Sequence, residues 1–306
     1  MNALETTPAR RTAPLGVFLL ATLALFWGIS WPAIKIVVGE MPVLTFRTIC
    51  CLAGGAGALG LALLAGERIR LPRREILPLW MMGLCNVTGW QIFMAYGLRI
   101  LPAGHASIIA YTMPAFATLF GWLFLKERIN AARLGGLALS MAGLAVLVGP
   151  EIADYQSAPL GILLMVGASA SWAAGTVGMK YFRWSLSVLQ NTGWQFLLGG
   201  IPIVIATAIE GSTPQFASLS TAAWISFAYV LTFPILFCQW AWLKAIDLLP
   251  GSMSAMGTLA IPVVGALSGA LLLHEKLGGA ELVALGLVTA GLALASFAPL
   301  SQRREA

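Results

Sequence analysis

Apolar residues run along this chain in long unbroken stretches, each closed by charged residues or by Pro and Gly, and they do not alternate with a period of two. Ten stretches read as helices: 15–38, 41–65, 77–98, 103–125, 131–149, 159–182, 186–209, 223–246, 250–273 and 279–298. About 20 apolar residues suffice for one helical bilayer crossing, so the pattern predicts an all-α membrane protein with ten transmembrane helices. A strand reading fails, because a barrel would alternate apolar and polar residues and an open sheet edge has no place in lipid. Several connections are only a few residues long, which makes consecutive helices antiparallel neighbours.

Composition points to the same solvent. Of 306 residues, 59% are hydrophobic and 10% charged, and mean hydropathy is +0.86, whereas soluble domains carry about 25% charge. The lipid bilayer is therefore an expected partner. A net charge of +6 could suggest nucleic acid, but the charges sit in short loops and form no continuous phosphate-binding face, so no nucleic-acid partner is expected. Their placement instead sets orientation. Fourteen of the 18 Lys and Arg fall on one side, among them Arg10, Arg11, Arg68, Arg70, Arg73 and Arg74, and only Lys35, Arg47, Arg99 and Lys276 on the other. By the positive-inside rule both termini are expected in the cytoplasm, with the chain in the cell (inner) membrane. Arg10 and Arg11 precede an apolar run too long for a cleavable signal, so the first helix is read as retained. Cys50, Cys51, Cys85 and Cys238 lie within apolar runs without a CxxC pair, so neither a disulfide nor a metal site is expected, and no cofactor is called for.

The chain repeats itself. A shift of 145 residues lays Trp27 on Trp172, Lys35 on Lys180, Gly54-Gly55 on Gly199-Gly200 and Gly66 on Gly211. After a three-residue loop gain, a shift of 148 lays Gln91 on Gln239, Leu101-Pro102 on Leu249-Pro250, Pro114 on Pro262, Glu127 on Glu275 and Gly143 on Gly291. Apolar coincidences are cheap in such a chain, but Trp, Lys, Gln, Pro and Glu matches at one register are not. The organisation expected is a cytoplasmic tail 1–14, a first unit 15–149, a second unit 159–298 and a cytoplasmic tail 299–306. Five helices per unit is an odd number, so the second copy enters the membrane upside down. Two inverted five-helix repeats are the architecture of a secondary transporter.

Trp27-Gly28-Ile29-Ser30-Trp31-Pro32 with Lys35, then Phe46-Arg47, Leu101-Pro102-Ala103-Gly104, Pro114 and Leu125-Lys126-Glu127-Arg128, form an ordered set that partly recurs as Leu249-Pro250, Pro262 and Glu275-Lys276. This set resembles the EamA-type members of the drug/metabolite transporter superfamily over about residues 15–298. The resemblance implies a ten-helix carrier of small organic metabolites; members export amino acids, the YddG-like aromatic amino-acid exporters included. The second copy departs from the pattern at Ala173 and Val177, where the first has Gly28 and Pro32.

The candidate substrate-binding residues are polar or aromatic groups at membrane depth. Trp27 and Trp172 sit mid-helix, away from the interfaces where Trp collects, and an indole N–H there needs a partner, supplied by a polar cavity or by helix packing. Gln91 and Gln239 carry amides that must be satisfied across a helix interface or in a cavity. Trp90, Tyr111 and Trp240 could add flat faces for an aromatic solute or could be ordinary core. Pro114 and Pro262 predict kinks that free carbonyls, for substrate or merely for a bend. Arg47 either snorkels outward or supplies the counter-charge for a substrate carboxylate, with Lys35 and His105 as neighbours. Nothing in its spacing makes His105 a metal ligand. Lys35 with Glu275, and Lys180 with Glu127, are symmetric pairs that could latch opposite faces or simply anchor helix ends.

No Asp or Glu falls in the middle third of any predicted helix, so an ordinary carboxylate proton relay is missing and facilitated diffusion or exchange is expected. There is no HExxH, no phosphate-binding glycine loop and no His/Asp constellation, so the chain is not read as an enzyme or an ATP-driven pump. The reading is a secondary transporter exporting small organic metabolites, aromatic or apolar amino acids foremost, by alternating access. A channel-like pathway and a polytopic membrane enzyme or scaffold stand as alternatives.

Overall fold

The structure, a computed structural model, describes residues 9–126, 131–154, 158–211, 216–248 and 258–297. The helices are α1 (Ala9–Glu40), α2 (Val43–Leu64), α3 (Arg73–Gly83), α4 (Trp90–Ile100), α5 (Ala103–Ala110), α6 (Met113–Leu125), α7 (Ala131–Asp154), α8 (Ala158–Tyr181), α9 (Val188–Glu210), α10 (Thr221–Thr232), α11 (Cys238–Leu248), α12 (Ala260–Leu273) and α13 (Gly279–Phe297). No strand occurs among the described residues. Among the described residues, seven continuous helices are long and apolar enough to cross a membrane, from Pro14–Glu40 to Thr221–Trp242, and three shorter apolar ones accompany them. The expected helix 250–273 is described only from residue 258, and the expected tail 299–306 and residues 1–8 of the other lie outside the described residues. Helix α1 begins at Ala9 and so takes in the remainder of that first tail.

Local chemistry sets the helix ends, often in matching places 145 or 148 residues apart. Gly66 (φ +81°) and Gly211 (φ +65°) follow the ends of α2 and α9 in the left-handed conformation that glycine adopts without strain. Lys126 and His274 close α6 and α12 with the same φ of 54°, each N–H returning to the carbonyl of Gly121 or Gly269. At the start of α9, Ser187 and Gln190 form a reciprocal capping box.

The helices pack in pairs. Helix α7 lies on α13 and α2 on α9, while α1 is held between α12 and the α10–α11 rod, and α8 between the α3–α4 rod and α5–α6. Glycines permit the closest approaches. A Cβ added at Gly143 would stand 2.9 Å from the Ala284 carbonyl oxygen, and one at Gly291 2.6 Å from that of Gly136. As residue number rises along α7, its partner's falls along α13, so the two helices run antiparallel. The same reciprocal pattern, Gly55 near Leu197 and Gly193 near Leu59, makes α2 and α9 antiparallel. The central core joins Leu23, Ile34 and Val37 of α1 to Leu98, Ile108, Met165 and Ile261. Leu64, Phe124, Ile209 and Leu271 stand exposed on the outside, as a lipid-facing surface allows.

Candidate functional site

Two long helices each carry a π-helical turn, Leu84–Gly89 between α3 and α4 and Phe233–Phe237 between α10 and α11. The shift of 148 lays residues 85–89 on 233–237. A π turn inserts one extra residue, leaves carbonyls without their usual partner and is frequent at functional sites. Side chains from the other half meet both turns. Trp27 of α1 donates its indole N–H to the Pro234 carbonyl at 3.2 Å, and Ser171, beside Trp172 on α8, donates its hydroxyl to the Cys85 carbonyl at 2.8 Å.

Gln91 sits just past the first π turn. Through its chain neighbour Trp90 an aromatic row crosses from α1 to α4 to α8: Trp31 and Trp90 have ring centroids 6.4 Å apart, and Trp90 and Trp172 5.2 Å apart. Gln91 is buried, and its Oε1 has no hydrogen-bond partner among the described residues. Arg47, which could have snorkelled outward, is instead only 2% exposed. Its guanidinium lies 4.8 Å over the Phe46 ring and donates through Nη2 to the Met94 sulfur at 3.2 Å, while Nε has no partner among the described residues.

At the far ends of α1 and α12 the two halves are tied across one face. Glu275 accepts from the N–H groups of Ala103 at 2.7 Å and Gly104 at 3.0 Å, capping the first turn of α5. Lys35 pairs with the same carboxylate at 3.4 Å and also donates to the Leu101 carbonyl. Gly269 leaves the room, since a Cβ there would stand 2.6 Å from Glu275 Oε2. Beside this, His105 Nε2 lies 3.0 Å from Glu281 Oε1 on α13.

The pattern that describes the EamA-like transporter family matches residues 14–149 and again 159–297. The chain belongs to the EamA-like transporter family. It is an integral membrane transporter and not an enzyme. An uncharacterized transporter of Bacillus subtilis (strain 168), YvbV, is 29% identical, over 99% of this chain and 97% of its own. A probable amino-acid metabolite efflux pump of Escherichia coli (strain K12) is 28% identical over 90% and 93% of the two chains. A probable terminal-alkyne amino-acid exporter of Streptantibioticus cattleyicolor is 27% identical over 95% and 96%. In fold, the chain is similar to a crystal structure 20% identical to it, with a TM-score of 0.65 over 92% of this chain and 96% of that one.

Not every expected residue of this EamA-like transporter gathers at the centre. Trp240 is 43% exposed and lines an open apolar crevice of about 380 Å³ with Leu61, Thr232, Leu236 and Phe237. Gln239 is half-buried beyond the second π turn. Tyr111 is buried at the break between α5 and α6. Pro114 is the second residue of α6, and the Ala110 carbonyl it cannot serve receives the Ser169 hydroxyl at 3.3 Å. Pro262 is the third residue of α12, where a missing N–H breaks no intrahelical bond. Lys180 is exposed at the end of α8, and Glu127 lies outside the described residues.

One polar cluster was passed over by the sequence reading. Asn86, within the first π turn, donates to Gln195 Oε1 at 3.0 Å, and Gln195 donates on to Asn191 Oδ1 at 2.5 Å. Asn191 and Gln195 are buried. Their repeat equivalents are Phe46, Cys50 and, for Asn86, Pro234, so a search for matched polar pairs misses them. Three amides within apolar runs were the available signal.

Proposed function

We propose that this EamA-like transporter exports small organic metabolites, aromatic or apolar amino acids foremost, by alternating access. In this reading ten crossings form two inverted five-helix units in the cell (inner) membrane, with both termini cytoplasmic. The observation that carries it is the antiparallel packing of equivalent helices: Gly143 meets Ala284 as Gly291 meets Gly136, and positions 136 and 284 are themselves 148 apart. A pseudo-two-fold axis in the membrane plane accounts for that reciprocity, and substrate sites of such carriers lie near it at the midplane. The matched π turns, the matched left-handed helix ends and the lodging of each half's first helix against the other half's third and fourth support the same arrangement. Relatives whose names refer to amino-acid efflux support the solute class.

The test is counterflow in proteoliposomes with labelled phenylalanine outside and excess unlabelled phenylalanine inside. A carrier takes up label transiently above equilibrium. A channel shows no stimulation from the far side, and an enzyme alters the solute; either result overturns the reading. An imposed pH gradient at clamped potential is expected to drive no net accumulation, since among the described residues Asp and Glu keep to the ends of the apolar helices. Accumulation that a protonophore abolishes would show that a proton path exists.

Orientation has its own test. A cysteine at Arg70, in the basic loop, is expected to react only from the cytoplasmic side. One at Gly39, where an added Cβ meets nothing within 4 Å, is expected to react only from outside. The reverse pattern refutes the topology.

A further inference from the structure

We infer that Arg47 and Gln91 form a recognition site for a zwitterion, Arg47 taking a carboxylate and Gln91 Oε1 an ammonium group. The inference rests on the export reading above and specifies the chemistry of its site. Two facts carry it. A guanidinium 2% exposed has around it a phenyl ring, a thioether and the thiols of Cys50 and Cys51, with no carboxylate partner among the described residues. The buried amide oxygen of Gln91 likewise has no donor among the described residues. An unpaired cation at membrane depth is costly and is retained where it meets an anion in some working state.

The two groups are complementary in kind. Arg47 offers N–H donors in a fork that fits a carboxylate, and its Nε has no partner among the described residues. Gln91 Oε1 offers an acceptor and no positive charge, which suits an ammonium group. They are also close along the structure: Arg47 reaches Met94 on α4, and Met94 stands three residues from Gln91 on the same helix face. Trp90 adjoins Gln91 in the chain and joins Trp31 and Trp172 in the aromatic row. The head group is thus read between α2 and α4, with an aromatic or apolar side chain against the row. Position 192, equivalent to Arg47 in the second half, is Thr, so the cation belongs to one half only and gives the solute a fixed orientation.

The experiment uses purified full-length protein in proteoliposomes, with phenylalanine counterflow inhibited by three probes: unlabelled phenylalanine, phenethylamine, which lacks the carboxylate, and 3-phenylpropionate, which lacks the ammonium. Wild type is expected to prefer phenylalanine over either by at least about tenfold. In Arg47→Gln, phenylalanine and 3-phenylpropionate weaken by about tenfold or more while phenethylamine is unchanged. In Gln91→Leu, phenylalanine and phenethylamine weaken while 3-phenylpropionate is unchanged. Arg47→Lys keeps the charge and is expected to keep the carboxylate preference in reduced form; it decides the question if Arg47→Gln does not give monodisperse protein. Equal weakening of all three probes, or unchanged selectivity in folded variants that still exchange phenylalanine, overturns the assignment alone. A wild type that exchanges none of a panel of amino acids overturns the export reading and the assignment with it.

Discussion

Gly199→Ala is expected to destabilise the folded protein by about 2 kcal/mol or more, although the same change at an open helical site stabilises. A Cβ at Gly199 would stand 2.7 Å from the Gly83 carbonyl carbon and 2.9 Å from its Cα. These are backbone atoms of α3 and cannot swing aside. The Thr88 hydroxyl is also bonded to the Gly199 carbonyl, so separating the helices strains a hydrogen bond as well. Against this, Gly→Ala within a helix gains about 1 kcal/mol of propensity. That gain should appear alone at Gly60, where an added Cβ meets nothing within 4 Å. Gly54, the repeat equivalent of Gly199, falls between: its nearest atoms are side-chain carbons of Ile235 and Phe196 at 3.1 Å, which can give way. The order of thermal stability in detergent should be Gly60→Ala above Gly54→Ala above Gly199→Ala. A Gly199→Ala protein as stable as wild type would mean that α3 and α9 do not touch at this point.

That comparison also separates what the chain discloses from what it hides. Trp27 with Trp172 and Gln91 with Gln239 reveal the duplication because rare residue types recur at one spacing. The extent of each apolar run follows from hydropathy, and the described helices overlap the expected ones closely at α2 and α13. Hydropathy does not register a single extra residue in a turn, so the π turns beside the candidate residues Gln91 and Gln239 are invisible in the sequence. Arg47 was ambiguous for a different reason. Whether a long cationic side chain snorkels or stays inside depends on what α4 presents to it, and that is a tertiary fact. Trp240 was hidden in another way: its neighbour Gln239 has a repeat partner, yet one residue along a helix turns the indole by about 100°, here into the apolar crevice. The Asn86, Asn191 and Gln195 cluster escaped because the two halves differ there, so symmetry was no guide to it.

Glu275→Gln is expected to shift the conformational equilibrium toward opening at the face that carries Lys35, the outer face in the proposed topology. The native carboxylate accepts two backbone N–H bonds from α5 and pairs with Lys35. Glu275 belongs to the second half, while Lys35 and the start of α5 belong to the first, so parting the halves here breaks all three contacts at once. An amide keeps one acceptor oxygen but turns an NH2 group toward an N–H donor, and leaves the Lys35 ammonium without its counter-charge. Charge-assisted hydrogen bonds contribute about 1.5–3 kcal/mol each, but water enters the open state and restores part of that, so a net bias of about 1–3 kcal/mol is expected, roughly 5–150-fold in population. The nearby His105–Glu281 pair remains and limits the effect. Spin labels at Gly39 and Gly279, where an added Cβ meets nothing within 4 Å, report the separation of the halves across this face. In Glu275→Gln the longer-distance population should grow, whereas charge-preserving Lys35→Arg should leave it near wild type. Unchanged distance distributions in a folded Glu275→Gln protein would reduce the contact to an ordinary helix cap, with the closure of this face held by packing of α1 on α12 and by the His105–Glu281 pair.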